Sequence, residues 1–363
     1  MKLIDTEKAV GTILCQDITQ IIRGVTKDAR FRKGHIVTAD DIPVLLSLGK
    51  EHLYVWEQQD GLVHENDAAQ RLLKLCKNTA MSESLVKEGK IQLAAETDGL
   101  FTVDSNRLIA INAIPDIMIA TRHGNTQVRR GDKLAAFRVI PLAIQEKYLD
   151  EADRAAGSSP ILSLHPWKIK KAAVITTGSE IYKGRIQDTF TPVIEEKLAY
   201  FDVKMIRHEL CDDDTEQIKQ AILDARAAGA ELILCTGGMS VDPDDRTPGA
   251  VRQSGAQIVT YGAPLLPGAM FLMGYLPKTE DTVISPETNC WDEPAPENAV
   301  PVLGLPGCVM YAARTVFDVF LPRILAGRRI RKRDIVVSGE GGLCLGCDIC
   351  TFPNCGFGKQ ETV

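Results

Sequence analysis

Short apolar runs alternate with amphipathic stretches between residues 171 and 327, and this alternation is the clearest structural signal in the chain. Three runs, KAAVITTG (171–178), ELILCTGG (231–238) and AVPVLGLPG (299–307), are almost continuously apolar, and each ends in glycine. Between them, FTPVIEEKLAYF and DDDTEQIKQAILDARAAGA place apolar residues at helical spacing. Strands that alternate with helices predict a parallel sheet with helices on both faces, an α/β fold.

Residues 1–150 show a different pattern, in which short alternating strands dominate. ENDAAQRLLKLCKNTA (65–80) has apolar residues at helical spacing and predicts a helix. IQLAAETDGLFTVDSNRLIAIN (91–112) predicts hairpins, because Asp-Gly and Asp-Ser-Asn sequences that favour turns interrupt its apolar runs. The polar stretch 151–160 predicts a linker, and the acidic, proline-rich stretch 279–298 predicts a long loop. We therefore expect a β-rich N-terminal region, of one or two small subdomains, joined to the α/β domain.

The composition is that of a water-soluble globular protein. The chain has 363 residues, of which 45% are hydrophobic and 25% charged, and its formal net charge is -6. A mildly acidic chain has no general attraction for nucleic acid, and no apolar run reaches the ~20 residues that span a bilayer. Without the apolar stretch of a signal peptide, the sequence predicts a cytoplasmic protein with neither nucleic acid nor a membrane as partner. A short basic run, RRIRKRD (328–334), is typical of a solvated helix end and linker.

Cysteine is unevenly distributed along the chain. Four of the 10 cysteines follow the pattern C-x2-C-x2-C-x4-C near the C-terminus: Cys344, Cys347, Cys350 and Cys355. A cytosolic chain of this size does not need disulfides, so clustered thiols indicate metal binding. Three closely spaced thiolates with a fourth nearby favour a 4Fe–4S cluster, whereas structural zinc usually divides its ligands into two separated pairs. We predict a metal-binding tail at 334–363, with Zn²⁺ as the alternative metal and a flexible reactive tail as the alternative without metal.

The glycine turns that end the three apolar runs carry candidate ligand-binding residues. Ligands of parallel α/β sheets bind beyond the carboxyl ends of the strands, where free backbone amides can hold phosphate oxygens. Glycine also allows a ligand to approach the backbone closely. The turn residues that we expect to bind the ligand are Thr177, Gly178, Ser179, Thr236, Gly237, Gly238, Ser240, Pro306 and Gly307.

Acidic residues accompany two of these turns. Glu180 and Asp188 follow the first turn, and Asp242 and Asp245 follow the second. Carboxylates beside a phosphate site would repel the ligand unless a cation lies between them, and Mg²⁺ binds both groups. The alternative is that these are cap and turn residues, which are commonly acidic. The pattern therefore predicts Mg²⁺ between the carboxylates and a phosphate-bearing ligand.

Five motifs in order, TTGSE, GRIQDTF, TGGMSVDPDD, LPGAM and GLPG, resemble those of the molybdopterin-binding domain of molybdenum-cofactor biosynthesis proteins. That family includes molybdopterin molybdotransferase, molybdopterin adenylyltransferase and their fusion in gephyrin. The resemblance places the domain at 166–327 and implies a three-layer α/β fold that binds a pterin with a dithiolene and a terminal phosphate. It adds Pro267 and Gly268 of the LPGAM turn to the expected ligand-binding residues. It also implies catalytic roles for the four acidic residues named above.

The resemblance implies two reactions and leaves a non-catalytic alternative. A molybdotransferase would insert metal from molybdate and an adenylyltransferase would use ATP, and both would act with Mg²⁺ on molybdopterin, its adenylate or the finished molybdenum cofactor. Members of the family are commonly dimers or trimers, so we expect a homo-oligomer. The alternative is a cofactor carrier or redox sensor, because the LPGAM turn lacks the lysines of the molybdotransferase and the cysteine tail is an addition. Cys308 stands where the family often has Asn-Pro, as a reactive thiol of lowered pKa or as a small buried residue.

Overall fold

The computed structural model describes five stretches of the chain, residues 2–22, 26–55, 60–240, 242–279 and 290–359. Residues 280–289 of the predicted loop and 360–363 of the predicted tail lie outside the described residues. The chain divides into two compact units, each built from three segments. The first comprises Met1–Ala94, Asp104–Arg122 and Lys133–Leu162, and the second comprises Ala95–Val103, His123–Asp132 and Ser163–Val363.

The described residues form strands β1 to β19 and helices α1 to α10, numbered in chain order. The strands are β1 Lys2–Asp5, β2 Ile18–Ile22, β3 Thr26–Phe31, β4 His52–Val55, β5 Leu62–His64, β6 Met81–Glu83, β7 Ile91–Ala95, β8 Gly99–Val103, β9 Ile117–Thr121, β10 Thr126–Val128, β11 Lys133–Val139, β12 Ala143–Gln145, β13 Leu162–Pro166, β14 Lys171–Thr177, β15 Lys204–Cys211, β16 Leu232–Thr236, β17 Gln257–Tyr261, β18 Leu272–Pro277 and β19 Ala299–Leu305. The helices are α1 Asp41–Ser47, α2 Glu65–Cys76, α3 Ser105–Asn112, α4 Glu146–Ala156, α5 Ser179–Tyr182, α6 Phe190–Ala199, α7 Thr215–Ala227, α8 Thr247–Gln253, α9 Val316–Leu325 and α10 Lys332–Val336. No helix in these stretches combines the length and the apolar character needed to cross a membrane.

The first unit is built from small antiparallel sheets and the helices α1 to α4. A four-stranded sheet has the order β6-β7-β11-β9, and β1-β4, β2-β3 and β12-β5 form two-stranded pairs. α2 buries Ala69, Leu72 and Cys76 on one face, as its helical spacing requires. The helix predicted for residues 65–80 is therefore confirmed over Glu65–Cys76.

The hairpins predicted for residues 91–112 are wrong. β7 pairs within the four-stranded sheet, whereas β8 belongs to a separate sheet of order β10-β8-β13. The residues after Asp104 form α3, and Asp104 caps this helix because its Oδ1 accepts a hydrogen bond from the N–H of Arg107 (3.1 Å). The Asp-Ser-Asn sequence is thus a helix start and not a turn between strands.

The linker predicted at residues 151–160 is wrong in its first part. α4 extends to Ala156 and buries Leu149, Ala152 and Ala156 along one face. Small residues can serve equally well in a linker and in a helix, since alanine has the highest helix propensity. Gly157, with a φ of +68°, follows the helix at its C-terminal end.

The second unit contains a six-stranded sheet of order β15-β14-β16-β19-β18-β17. The first four strands of this order are parallel to one another, and β18 is antiparallel to both of its neighbours. α6 and α9 cover one face through residues such as Ile194 and Phe320, and α7 and α8 cover the other through Ile222 and Val251. Because both faces are buried, the central strands are continuously apolar. The mostly parallel, three-layer α/β fold is therefore confirmed.

Candidate functional site

The three predicted glycine turns lie side by side at the edge of the sheet where β14, β16 and β19 end, and we call this edge the rim. Thr176 of β14 pairs with Thr236 of β16, and Thr236 pairs in turn with Leu305 of β19. Since these strands are parallel neighbours, the turns that follow them emerge next to one another. Thr236 is fully buried, and its hydroxyl has no hydrogen-bond partner among the described residues.

The LPGAM turn reaches the rim from the antiparallel side of the sheet. Tyr261, the last residue of β17, pairs with Leu272 at the start of β18, and Leu272 pairs with Gly304 near the end of β19. The connection formed by residues 262–271, which contains the turn, therefore leaves and re-enters the sheet at the rim. All four predicted turns thus share one edge of the sheet.

Within the LPGAM turn, Gly268 packs directly against the start of α9. Its φ is +132°, and a side-chain carbon at this position would lie 2.4 Å from Cγ1 of Val316. The carbonyl of Pro267 accepts a hydrogen bond from the N–H of Val316 (3.1 Å). These contacts fix the LPGAM turn against α9, so the turn would form a rigid side of a ligand site at the rim.

The second turn packs equally closely against the first. Gly237 has a φ of +83°, and a side-chain carbon would lie 2.1 Å from the carbonyl oxygen of Thr177. Thr247, the first residue of α8, donates a hydrogen bond to the carbonyl of Gly237 (2.9 Å), and its hydroxyl lies 3.1 Å from that of Thr177. Gly238 lies beside the hydroxyl of Thr247. Thr247 therefore joins both turns to α8.

Ser179 of the first turn is bound by two carboxylates that sequence reasoning missed. Its N–H donates to Oδ2 of Asp213 (2.8 Å), and its hydroxyl donates to Oδ1 of Asp212 (2.5 Å). Lys183 lies 3.3 Å from Oδ2 of Asp212. The hydrogen bond from Ser179, followed by that from the N–H of Asp213, lowers the pKa of Asp212. One predicted phosphate donor, the N–H of Ser179, is therefore already engaged, while Gly178 donates its N–H to the carbonyl of Cys211.

Asp188 is held at the start of α6. Its Oδ1 accepts hydrogen bonds from the N–H groups of Phe190 (2.9 Å) and Thr191 (3.0 Å), and its Oδ2 accepts one from the hydroxyl of Thr191 (2.5 Å). Nε2 of His208 lies 3.4 Å from Oδ2 and 3.2 Å from the hydroxyl of Thr176. Burial raises the pKa of Asp188, but the hydrogen bonds from Thr191 and Phe190 outweigh it and hold the pKa below its usual value. Both carboxylate oxygens are thus engaged within the fold.

Asp242 and Asp245 come together in one turn ahead of α8. The N–H of Asp242 donates to Oδ2 of Asp245 (3.2 Å), and the N–H of Asp245 donates to the carbonyl of Asp242 (3.0 Å). The hydroxyl of Tyr261 lies 3.2 Å from the carbonyl of Ser240, and burial, together with the charge of Asp245, raises the pKa of Tyr261. Glu180 is exposed on α5. Of the four predicted acidic residues, the structure therefore shows direct contact between Asp242 and Asp245.

A cavity of about 670 Å³ lies beside the third turn, between α6, α9 and the segment 309–314. Lys197 and Arg314 both pair with Asp318 at its wall, at 2.6 Å and 3.1 Å. The guanidinium carbon of Arg314 lies 5.3 Å from the centre of the Phe352 ring. The predicted ligand-binding residues are not among those that line this cavity, but Pro306 and Gly307 lead directly into the 309–314 segment.

The cysteine tail is attached to the rim through its backbone. The N–H of Leu266, in the LPGAM turn, donates to the carbonyl of Gly342 (2.8 Å), and the N–H of Cys344 donates to the carbonyl of Leu266 (2.8 Å). The thiols of Cys344 and Cys355 pack against the apolar core, whereas Cys347 and Cys350 are exposed. Throughout the described stretches, no group of three or more His, Cys, Asp or Glu side chains is arranged to hold a metal ion.

Cys308, which follows the GLPG turn, is partly buried. Burial raises the pKa of its thiol, so the interpretation as a reactive thiolate of lowered pKa is wrong. The short 3-10 helix Gly307–Met310 contains Cys308, and a single turn of this kind does not supply enough aligned dipoles to offset the burial. The alternative interpretation of Cys308, as a small buried residue, agrees with its partial burial.

Two family models match separate parts of the chain. Residues 173–326 match a probable molybdopterin binding domain, and residues 3–57 match a domain of unknown function. The first match includes all four turns of the rim and ends before the cysteine tail.

Known proteins show similarity over parts of the chain. A CinA-like protein of Pseudothermotoga lettingae is 37% identical over 86 residues, which cover 24% of this chain and 21% of that protein. A molybdopterin molybdenumtransferase of Synechococcus elongatus is 25% identical over 194 residues, 50% of this chain and 45% of that protein. Among solved structures, the tungsten cofactor synthesizing protein MoaB from Pyrococcus furiosus has 18% identity and a TM-score of 0.33, covering 45% of this chain and 98% of its own. The chain thus covers less than half the length of these two curated relatives.

Proposed function

We propose that this chain, whose residues 173–326 match the molybdopterin-binding domain family, binds molybdopterin or its adenylate at the rim and acts in molybdenum-cofactor biosynthesis. The observation that carries the proposal is the convergence of the glycine turns on one edge of the sheet. This edge is where parallel α/β sheets bind their ligands, and a phosphate-bearing ligand suits its backbone amides.

The second turn is the best candidate for the terminal phosphate. Among the described residues, the N–H groups of Gly237 and Gly238 donate no backbone hydrogen bond, whereas that of Ser179 is engaged by Asp213. Two consecutive free amides form a concave site for an anion. Arg246, whose backbone lies beside Gly238, places an exposed positive charge in the same loop. Arg246 therefore supplies a positive charge near the phosphate site, whereas the LPGAM turn contains no basic residue.

The donor chemistry at Asp242 and Asp245 fits Mg²⁺. This ion needs one or two carboxylates and takes its remaining oxygen ligands from phosphate and water. Bound there, Mg²⁺ would neutralise the negative charge that develops on a phosphate group. Asp188 does not belong to the same ligand set, because both of its oxygens hold the start of α6; we assign it a positioning role. Glu180, exposed on α5, remains available to the ligand.

The pterin end of the ligand has room in the cavity beside the third turn. Its volume of about 670 Å³ is typical of sites for small molecules. Tyr200, Tyr311 and Phe352 line it and offer flat faces for stacking, while Lys197 and Arg314 supply positive charge. The ligand would then extend from the second turn across the third.

The test is to incubate the purified protein with molybdopterin, Mg²⁺-ATP and molybdate, and to follow both nucleotide products and bound pterin. We expect stoichiometric pterin binding, accompanied by adenylyl transfer or by metal insertion. Either reaction depends on clamping phosphate groups rather than on a covalent nucleophile. Failure to bind pterin at all would overturn the proposal.

A cofactor carrier or redox sensor is the second candidate, and the attachment of the tail to the LPGAM turn favours it. The family's lysines are absent from this turn, and Leu266 is instead hydrogen-bonded on both sides to the tail backbone. A change in the tail would therefore reach the rim directly. Stoichiometric pterin binding without turnover, in the same incubation, would support the carrier.

We further propose that the tail binds a 4Fe–4S cluster, with Zn²⁺ as the alternative, since four thiols in so short a segment suit either metal chemically. The thiols do not converge in the structure, so binding would require Cys347 and Cys350 to move towards Cys344 and Cys355. A bound cluster would supply one-electron redox chemistry.

Anaerobically purified protein should therefore contain about four iron atoms per chain. The Cys347→Ser variant should lose most of this iron, while the control Cys290→Ser, outside the tail, should retain it. Elemental analysis and the visible absorption spectrum measure both. About one zinc per chain in a colourless protein would refute the cluster, and absence of both metals would refute metal binding.

A further inference from the structure

A second cavity, of about 470 Å³, lies at the opposite edge of the six-stranded sheet from the rim. β14, β16 and β19 begin at this edge and β18 ends there, so the cavity lies roughly 20 Å from the glycine turns, the length of a seven-residue strand. Five basic side chains line it: Lys168, Arg226, Lys278, Arg328 and Arg329. We call this feature the basic cleft.

Among the described residues, three of the five basic side chains that line the basic cleft form no ion pair. Of the two described carboxylates that line it, Glu297 lies 3.8 Å from Arg329, and Glu231 accepts hydrogen bonds from backbone N–H groups. Within the described part of the chain, Lys168, Lys278 and Arg328 form no ion pair, and all three are exposed. A surplus of positive charge in a concavity is unexpected in a chain whose net charge is -6, and it creates a local site for anions.

The backbones that carry these three charges are fixed by the core. The N–H of Lys168 donates to the carbonyl of Leu325 (2.7 Å), that of Lys278 to the carbonyl of Asn298 (3.0 Å), and that of Arg328 to the carbonyl of Arg323 (3.0 Å). The three side chains therefore extend from backbone positions that are each anchored. Anchored backbones reduce the part of the entropy cost of binding that comes from ordering loops.

The floor of the basic cleft is apolar. Tyr275, Val300 and Ile324 are each at most 3% exposed and line its base. The hydroxyl of Tyr275 accepts a hydrogen bond from the N–H of Ile330 (2.6 Å), which ties the basic run 328–334 to this floor. The basic run 328–334 therefore also places Arg328 and Arg329 on the wall of the basic cleft.

We propose that the basic cleft binds a small molecule that carries two or more phosphate groups, at a site separate from the pterin site at the rim. Several basic side chains around one cavity suit a ligand with two phosphate groups better than a ligand with one carboxylate. Each additional phosphate oxygen can accept a further charge-assisted hydrogen bond. The volume lies in the range of small-molecule sites. The concave shape and the acidic remainder of the chain disfavour an extended nucleic acid.

The test uses pyrophosphate as the probe and isothermal titration calorimetry on the full-length protein. We expect binding that weakens as salt increases, and at least about tenfold weaker binding in the double variant Lys168→Glu/Arg328→Glu. The control Lys74→Glu/Lys90→Glu changes the net charge equally at exposed positions elsewhere and should bind as the wild type does. A thermal melt of each variant establishes that it is folded.

Four results would overturn the inference. The first is no binding to the wild type, and the second is equal weakening in both double variants, which would indicate general charge attraction. The third is unchanged binding in Lys168→Glu/Arg328→Glu, which would place the probe outside the basic cleft. The fourth is tighter binding of a labelled single-stranded oligonucleotide than of pyrophosphate, which would indicate that the basic cleft binds nucleic acid and not a small molecule. Pterin binding, measured separately, should be unchanged in both double variants.

Discussion

Replacing Gly237 with alanine is expected to lower the free energy of unfolding by about 3 kcal/mol and to abolish pterin binding. The new side-chain carbon would lie 2.1 Å from the carbonyl oxygen of Thr177, at a φ of +83° that side chains rarely adopt. Relief would require the second turn to move away from the first, and this movement would break the hydrogen bonds of Thr247 to both turns. The two free amides would then no longer face the ligand together.

The matched control is Gly249→Ala, in the adjacent helix α8. A side-chain carbon at Gly249 would meet no atom within 4 Å, and alanine in a helix is favoured over glycine by roughly 0.5–1 kcal/mol. This variant should be slightly more stable than the wild type and should bind pterin normally. Urea denaturation and pterin binding measure both variants. Similar behaviour of the two alanine variants would contradict the close packing of the turns.

Replacing Asp318 with asparagine is expected to lower the free energy of unfolding by about 3 kcal/mol. The Asp318 side chain is 6% exposed and lies 2.6 Å from the ammonium group of Lys197, itself only 15% exposed. Its second oxygen accepts a hydrogen bond from the N–H of Thr315 (2.8 Å) and completes the capping box of α9. Asparagine would retain the size of the side chain but leave Lys197 and Arg314 facing each other without a counter-charge.

Asp334→Asn provides the comparison, because Asp334 occupies the equivalent position in the capping box of α10. Its partner Arg331 is 38% exposed and Asp334 is 26% exposed, so solvent screens this pair and its loss should lower stability by less than about 1 kcal/mol. Urea denaturation of both variants gives the difference. Equal and small losses of stability in the two variants would show that burial does not strengthen the ion pair between Asp318 and Lys197.

The strands and turns of the rim could be predicted because their signal is local. A strand buried on both faces needs a continuous apolar run, and the glycines that follow it are needed where two turns pack closely, as at Gly237. The parallel arrangement places the turns at one edge of the sheet, and the strand order β14-β16-β19 makes them neighbours. The family match over residues 173–326 covers this same part of the chain.

The contacts that complete the site could not be predicted, because they join distant residues. Thr247 reaches Thr177 across 70 positions, and Asp213 reaches Ser179 across 34. No spacing rule connects such pairs before the fold is known. Asp188 is different, since an aspartate three residues before a threonine at a helix start is a local capping pattern. The sequence analysis gave a cap as the alternative role of Asp188, and its hydrogen bonds to Phe190 and Thr191 confirm that alternative.

The errors in the N-terminal region have the same origin. Residues 151–156 look like a linker when composition alone is considered, but the burial of Leu149 and Ala152 makes them part of a helix. The two strands at 91–103 look like a hairpin, yet each finds its partners elsewhere in the chain. In both cases tertiary contacts outweigh a weak local preference.

The most direct test of the account is a structure of the protein with molybdopterin bound, determined from crystals grown without oxygen. We expect the oxygens of the terminal phosphate to lie within about 3 Å of the backbone nitrogens of Gly237 and Gly238. Phosphate bound in the basic cleft, among Lys168, Lys278 and Arg328, or anywhere else away from the rim, would contradict the assignment of the glycine turns as the pterin site.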